Sequence, residues 1–250
     1  ASANLRAVTL PGFVAQRDPT LRARLVEERV LEYTDVSALE GARRVFDPLW
    51  IWLNPFNGFP VSIWLVEDRG LSWYFVDHPP LYDRPGLYGI DGEDFPDNHI
   101  RFAVLSRAAL GVFRHLFPAD VIHCHDWQTG LLPVYLRTRF ALDPTYMGAR
   151  TLFTVHNLGY PGLFPRQALP EMGLDDSVFH PDGVEFFGKV SLIKGGLAYA
   201  DALSTVSPTY AREIQTPEFG FGLDGLLRAR ASVLHGILNG ADYSEWNPET

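Results

Sequence analysis

The chain has 250 residues, 46% of them apolar, and a formal net charge of −9 from 30 acidic and 21 basic residues. That is enough apolar material for one large α/β domain or two small ones. The acidic balance and scattered arginines argue against a nucleic-acid partner, which needs a basic face. A single cysteine, Cys124, leaves no intrachain disulfide to form, and the opening "ASANLRAVTLPGFVAQ" does not read as a secretion signal. No apolar run reaches the length of a membrane span. The expectation is a cytoplasmic protein without a membrane partner.

Residues 43 to 77 read as short strands joined by turns, with Asn57 and Gly58 of "FNGF" as a hairpin signal. Val61, Ile63 and Leu65 alternate with Ser62, Trp64 and Val66, which predicts a strand covered on both faces. Residues 78 to 98, rich in Pro, Gly and Asp, read as a long ordered loop of the kind that often carries function.

From residue 100 onward, strands and helices alternate. Phe102, Leu105, Leu110, Phe113 and Leu116 give "RFAVLSRAALGVFRHLF" a helical period. "ADVIHCH" reads as a buried strand, and "TGLLPVYLRTRF" as a helix with Thr129 as N-cap and Pro133 in its first turns. "ARTLFTVHN" is a strand, "FGKVSLIKGGLAYA" a helix, "DALSTVS" a strand, "PTYAREI" a helix and "SVLHGILNG" a closing strand. Such alternation predicts parallel βαβ units, with reactive groups beyond the carboxyl ends of the strands. His125-Asp126, His156-Asn157, Ser207 and Asn239-Gly240 would then share one rim.

The cluster His123, Cys124, His125 and Asp126 admits two readings. Side chains alternate along a strand, so His123 and His125 would face one way and Cys124 the other. A His-x-His pair could begin a metal site, as in a metal-dependent hydrolase, though no second ligand pair at helical spacing follows it. The better reading is recognition of sugar hydroxyls, which need both donors and acceptors. Asp126 accepts, His125 and His156 can do either, and Asn157 and Asn239 do both. Gly159, Gly162 and Gly240 would keep the backbone open to a ligand. Lys194-Gly195-Gly196 lacks phosphate-loop spacing and reads as a close helix crossing. "REIQTPEFGFGLDGLLR" reads as a glycine-punctuated connector or a lid, and no carboxylate pair has spacing that marks a hydrolase.

"HCHDWQTGLLPVYL", "TVHNLGYPGLFP", "LIKGGLAYADALSTVSPTYAREIQTPEFGFGLDGLL" and "GILNGADYSEWNP", with "LYDRPGLYG" and "FPDNHIRF", resemble the bacterial glycogen synthases and plant starch synthases. The match covers most of residues 70 to 250, and "LRAVTLPGF" looks like the family's second strand. The resemblance implies an α/β fold: a Rossmann-like parallel sheet with helices on both faces, the N-terminal half of a two-domain GT-B glycosyltransferase. Residues 1–250 would form one incomplete domain, hairpin-rich over 1–99 and built of βα units over 100–250.

The implied activity is transfer of glucose from ADP-glucose, or UDP-glucose in some relatives, to an α-1,4-glucan with retention and without a metal or other cofactor. Carried over, His156 would contact the transferred glucose, Asp126 would organise the catalytic site, and Asn239 would line the cleft. His125, Trp127, Asn157, Tyr160 and Gly240 would join them in binding substrate. The chain lacks the family's first strand with its Lys-Thr-Gly-Gly loop, and the second, nucleotide-holding domain. Pro161, Ser191 and Ala241 depart from the family's usual residues. The expectations are open sheet edges, a complementing domain or homo-oligomer as partner, and negligible synthase activity for these 250 residues alone. A non-catalytic α-glucan-binding module is the alternative.

Overall fold

A computed structural model describes residues 7–10, 41–68 and 70–240. Five short strands, Ala7–Leu10, Val121–His125, Arg150–Val155, Ala202–Thr205 and Leu234–Gly236, form one sheet in that spatial order. All four pairings are parallel, so the carboxyl ends emerge on one rim. The strands are apolar because parallel sheets are covered by their crossovers. Ile122, Cys124, Phe153, Val155 and Leu203 are all buried. Among the described residues no helix is long and apolar enough to cross a membrane.

The glycine pair of "LIKGG" sets how closely one crossover helix approaches. In the helix Leu192–Tyr199, a Cβ on Gly196 would lie 2.3 Å from the Phe153 ring, and one on Gly195 would lie 2.9 Å from Val134. Lys194 beside them is spent internally, its ammonium donating to the carbonyls of Pro181 and Glu185 at 2.5 Å each. Burial lowers its pKa, against the raising effect of the Glu185 and Asp182 charges.

The helix begins later than the sequence suggests. Lys189–Ser191 instead pairs with Leu163–Pro165 and Glu185–Phe186 in a small antiparallel sheet. Ser191 then caps the helix by accepting the Lys194 N–H. The last strand is also shorter than expected, ending at Gly236 with one further bond from Ile237 N–H to Thr205 O at 2.8 Å.

Arg43–Asn54, Asn57–Asp68 and Leu71–Asp77 form an antiparallel meander. Its first turn is Pro55-Phe56, not Asn57-Gly58, because Asn54 pairs with Asn57. Gly58 answers a different need: the Trp52 ring lies across it, and a Cβ there would be 2.7 Å from ring carbons. Leu49, Ile51, Leu53, Val61 and Ile63 bury one face. The helix Asn98–His115 reaches that face, where a Cβ on Gly111 would lie 2.6 Å from Leu49. The opposite face is open at Trp50 and Trp52 of the first strand, while on the middle strand Val66 is buried and Ser62 and Trp64 are half-buried, so that strand's second face is only partly covered.

Residues 78–98 are tied down through Arg101, which is buried and donates to Leu81 O, Leu87 O and Asn98 Oδ1 at 2.6–2.9 Å. Val121–His125 is paired on both sides, and among the described strands Ala7–Leu10 and Leu234–Gly236 form the two edges of the sheet.

Candidate functional site

The turn leaving Val121–His125 is the most constrained backbone on the rim. Asp126 has φ 57° and ψ −174°, a region populated almost only by glycine. Its neighbours over-determine it. Asp126 N–H donates to Thr154 O at 2.9 Å, and Thr129 N–H donates to Asp126 O at 3.2 Å. Thr129 is not the cap of the next helix, Leu131–Arg137. Its hydroxyl folds back to accept the His125 N–H at 2.7 Å and to donate to His125 O at 2.8 Å.

This conformation aims the buried Asp126 carboxylate across the sheet, where Oδ1 accepts the backbone N–H of His156 at 2.7 Å. The same residues meet through their rings. His125 Nδ1 and His156 Nε2 are 2.9 Å apart, with ring planes 17° from parallel. One of these nitrogens carries the proton and the other accepts it. Asp126 therefore fixes the His156 backbone, and His125 fixes its ring.

His123 points into the sheet's polar interior. Its Nε2 meets Thr154 Oγ1 at 2.6 Å, and Thr154 Oγ1 in turn meets Ser204 Oγ. Both histidines of the His-x-His pair thus use a ring nitrogen within the protein. Among the described residues no group of three or more His, Cys, Asp or Glu is placed to hold a metal ion. The Cys124 thiol is fully buried on the opposite face, and burial pushes its pKa well up. A thiol so shielded is a poor nucleophile.

Burial also holds the His123 pKa below its ordinary 6.5. A depressed pKa means stability fully present above 6.5 and lost as pH falls through the folded-state value. Urea unfolding midpoints should fall as pH is lowered from neutrality past 6.5, and part of that fall should vanish in His123→Gln. Equal acid sensitivity in the two proteins would refute the assignment.

The remaining predicted residues divide. Asn157 is exposed, with its Oδ1 accepting the Gly159 N–H at 2.9 Å, and Tyr160 is 66% exposed beyond it. Asn239 and Gly240 are exposed just past the last strand. Ser207 is used as the N-cap of Pro208–Glu213, accepting the Tyr210 N–H. Trp127 is buried, packed against Phe102, Tyr88 and Phe164. A Cβ on Gly162 would lie 2.6 Å from its ring, so this glycine serves packing. Ala241 lies outside the described residues.

Sequence reasoning missed Tyr88 and Gln128. Gln128 Nε2 donates to Tyr88 OH at 2.9 Å. Burial and then the Asp126 charge raise the Tyr88 pKa, with the Gln128 bond opposing them. No local signal marks this pair, because it joins the 78–98 loop to the "HDWQ" turn across 40 residues.

The chain's residues 21–229 match the family model described as the starch synthase catalytic domain. The glycogen synthase of Anaeromyxobacter dehalogenans (strain 2CP-C) is 50% identical over 233 residues, covering 90% of this chain and 48% of the relative. That of Koribacter versatilis (strain Ellin345) is 52% identical over 181 residues, 72% of this chain and 37% of the relative. The chain thus spans less than half the length of these relatives. Among solved structures, the catalytic domain of starch synthase IV from Arabidopsis thaliana, bound to ADP and acarbose, superposes with a TM-score of 0.76 at 27% identity. The superposition covers 99% of this chain and 54% of that one.

Proposed function

Because the chain belongs to the starch synthase catalytic-domain family, we propose that its rim binds the sugar end of a glucosyl transfer from ADP-glucose to an α-1,4-glucan, with retention. The observation that carries this reading is the double hold on His156, by the Asp126 carboxylate at its backbone and by His125 at its ring. A group that must recognise one hydroxyl in one orientation needs such fixing. Asn157, Tyr160, Asn239 and Gly240 are exposed in the segments that follow the strand ends, where further hydroxyls would lie. A ligand lacking one of those hydroxyls would leave polar groups unpaired, and that is the source of selectivity.

As charge develops on the sugar ring, the fixed dipoles of this rim need no reorganisation, which is how such sites lower barriers. The proposed activity of the 250 residues alone is glucan binding with negligible turnover, the nucleotide being held elsewhere in the synthase. The starch synthase IV catalytic domain was solved with ADP and acarbose, which supports a sugar ligand for this fold.

Calorimetric titration of the purified chain with maltoheptaose and, separately, ADP-glucose tests the reading. Maltoheptaose should bind, and His156→Ala should weaken it by about tenfold or more, the loss of one charge-independent polar anchor and its contacts. Absence of maltoheptaose binding would sink the proposal. Glucan-dependent ADP release by the chain alone would overturn the assignment of the nucleotide site elsewhere.

A further inference from the structure

Two phenylalanines stand in backbone conformations that side chains avoid. Phe187 has φ 48° and Phe221 φ 49°, both left-handed, and each is followed by a glycine that is also left-handed. A bulky residue there costs stability, and an asparagine or glycine would not. Neither ring recovers that cost by burial, since Phe187 is 81% and Phe221 60% exposed. Two strained, exposed aromatic residues on neighbouring loops are a poor solution to folding and suggest a use for their exposed faces.

Their placement says which use. A Cβ on Gly159, three residues past His156, would lie 3.8 Å from the tip of the Phe221 ring. A Cβ on Gly222 would lie 3.1 Å from the Phe187 ring. Phe221 thus reaches the loop that leaves His156, and Phe187 lies beside the residue after Phe221. Phe186, stacked edge-on against Phe187 at 4.7 Å, backs the outer ring. Exposed Tyr160 lies on the same His156 loop. The loop that Phe221 borders also carries Asn157, and Phe187 lies next to the Phe221 segment.

We propose that Phe187 and Phe221 form a ledge that takes the apolar faces of successive glucose units of an α-1,4-glucan, beyond the unit held at His156. The inference rests on the reading of the rim as a glucan site and adds where the rest of the polymer lies. A pyranose ring presents axial C–H groups on one face and hydroxyls at its edge. It therefore stacks on an aromatic plane while its hydroxyls remain in water. Gly222 keeps the two loops close without a side chain between the rings, and its positive φ excludes most replacements. On this reading the glycine-punctuated "EFGFG" segment mounts one plate of the ledge.

The test compares a short and a long ligand. The purified chain is titrated with maltotriose and with maltoheptaose, alongside Phe187→Asn and Phe221→Asn. Asparagine tolerates the left-handed region, so both variants should melt at or above the parent temperature. The parent should bind maltoheptaose more tightly than maltotriose. Each variant should lose roughly three- to tenfold in maltoheptaose affinity, the size of one aromatic stacking contact. Maltotriose affinity should stay within about twofold. Unchanged maltoheptaose affinity in both variants would overturn the ledge while leaving the rim intact. If the parent binds neither sugar, the reading of the rim falls, and the ledge with it.

Discussion

Replacing Asp126 with alanine is expected to remove about 2 kcal/mol of stability and to weaken maltoheptaose binding at least roughly tenfold. Two losses combine, on a backbone whose strain is unchanged. The His156 N–H loses its carboxylate acceptor inside a site where water is largely excluded. The backbone at position 126 stays at φ 57° and ψ −174° because Thr154, Thr129 and the His125 turn still hold it, so the strain remains. The His156 ring, no longer fixed from behind, samples positions in which His125 does not meet it.

A companion variant separates these effects. Asp126→Gly also loses the carboxylate but suits the conformation, and should recover about 1 kcal/mol relative to alanine with no recovery of binding. Asp126→Asn keeps an acceptor and should retain most of the stability. Urea unfolding and sugar titration read the two quantities independently. Alanine and glycine variants of equal stability would show that the backbone at 126 is not strained.

Gly130→Ala, four residues on, is expected to cost about 3 kcal/mol or to prevent folding. The cause is the reverse of that at Asp126. Gly130 has φ −62° and ψ −23°, an ordinary helical conformation open to any residue. What it lacks is room: a Cβ would sit 1.9 Å from the carbonyl oxygen of Leu192, inside the 3.0 Å that real Cβ atoms keep. That oxygen belongs to the backbone, so no rotamer change relieves the clash. The helix Leu131–Arg137 must move away from Leu192–Tyr199, and the turn between His125 and Gly130 moves with it. Gly148→Ala, where a Cβ meets nothing within 4 Å, is the control and should change stability by no more than about 0.5 kcal/mol. Similar stability for the two variants would refute the account. Within one five-residue turn, glycine geometry thus carries a carboxylate, while ordinary geometry requires a glycine.

The alternation of strands and helices after residue 100 was legible because each strand is a short apolar run ending in polar residues, and parallel pairing needs little more. The shared rim followed from that pattern, including the positions of Asp126 and His156. Contacts between strands were not legible. Nothing near His125 announces that its ring meets one 31 residues away.

Glycines misled where their role is tertiary. Gly58 looks like a turn residue but lies under the Trp52 ring. Thr129 looks like a helix cap but folds back on His125. Phe187 and Phe221 carry no sequence mark of a left-handed backbone beyond the glycine that follows each, so their exposure came only with the structure.

Cys124 offers a clock. It is the sequence's sole thiol and is wholly enclosed within the central sheet, between strands on either side. A thiol reagent cannot reach it until the layer packed on that face of the sheet lifts away, so labelling proceeds only from opened molecules. The rate at which reagent is consumed, followed in a large excess of it, measures how often the core behind His125 and Asp126 opens. Bound sugar that bridges the strand ends would slow that rate, and the slowing would report occupancy of the rim from the far side of the sheet.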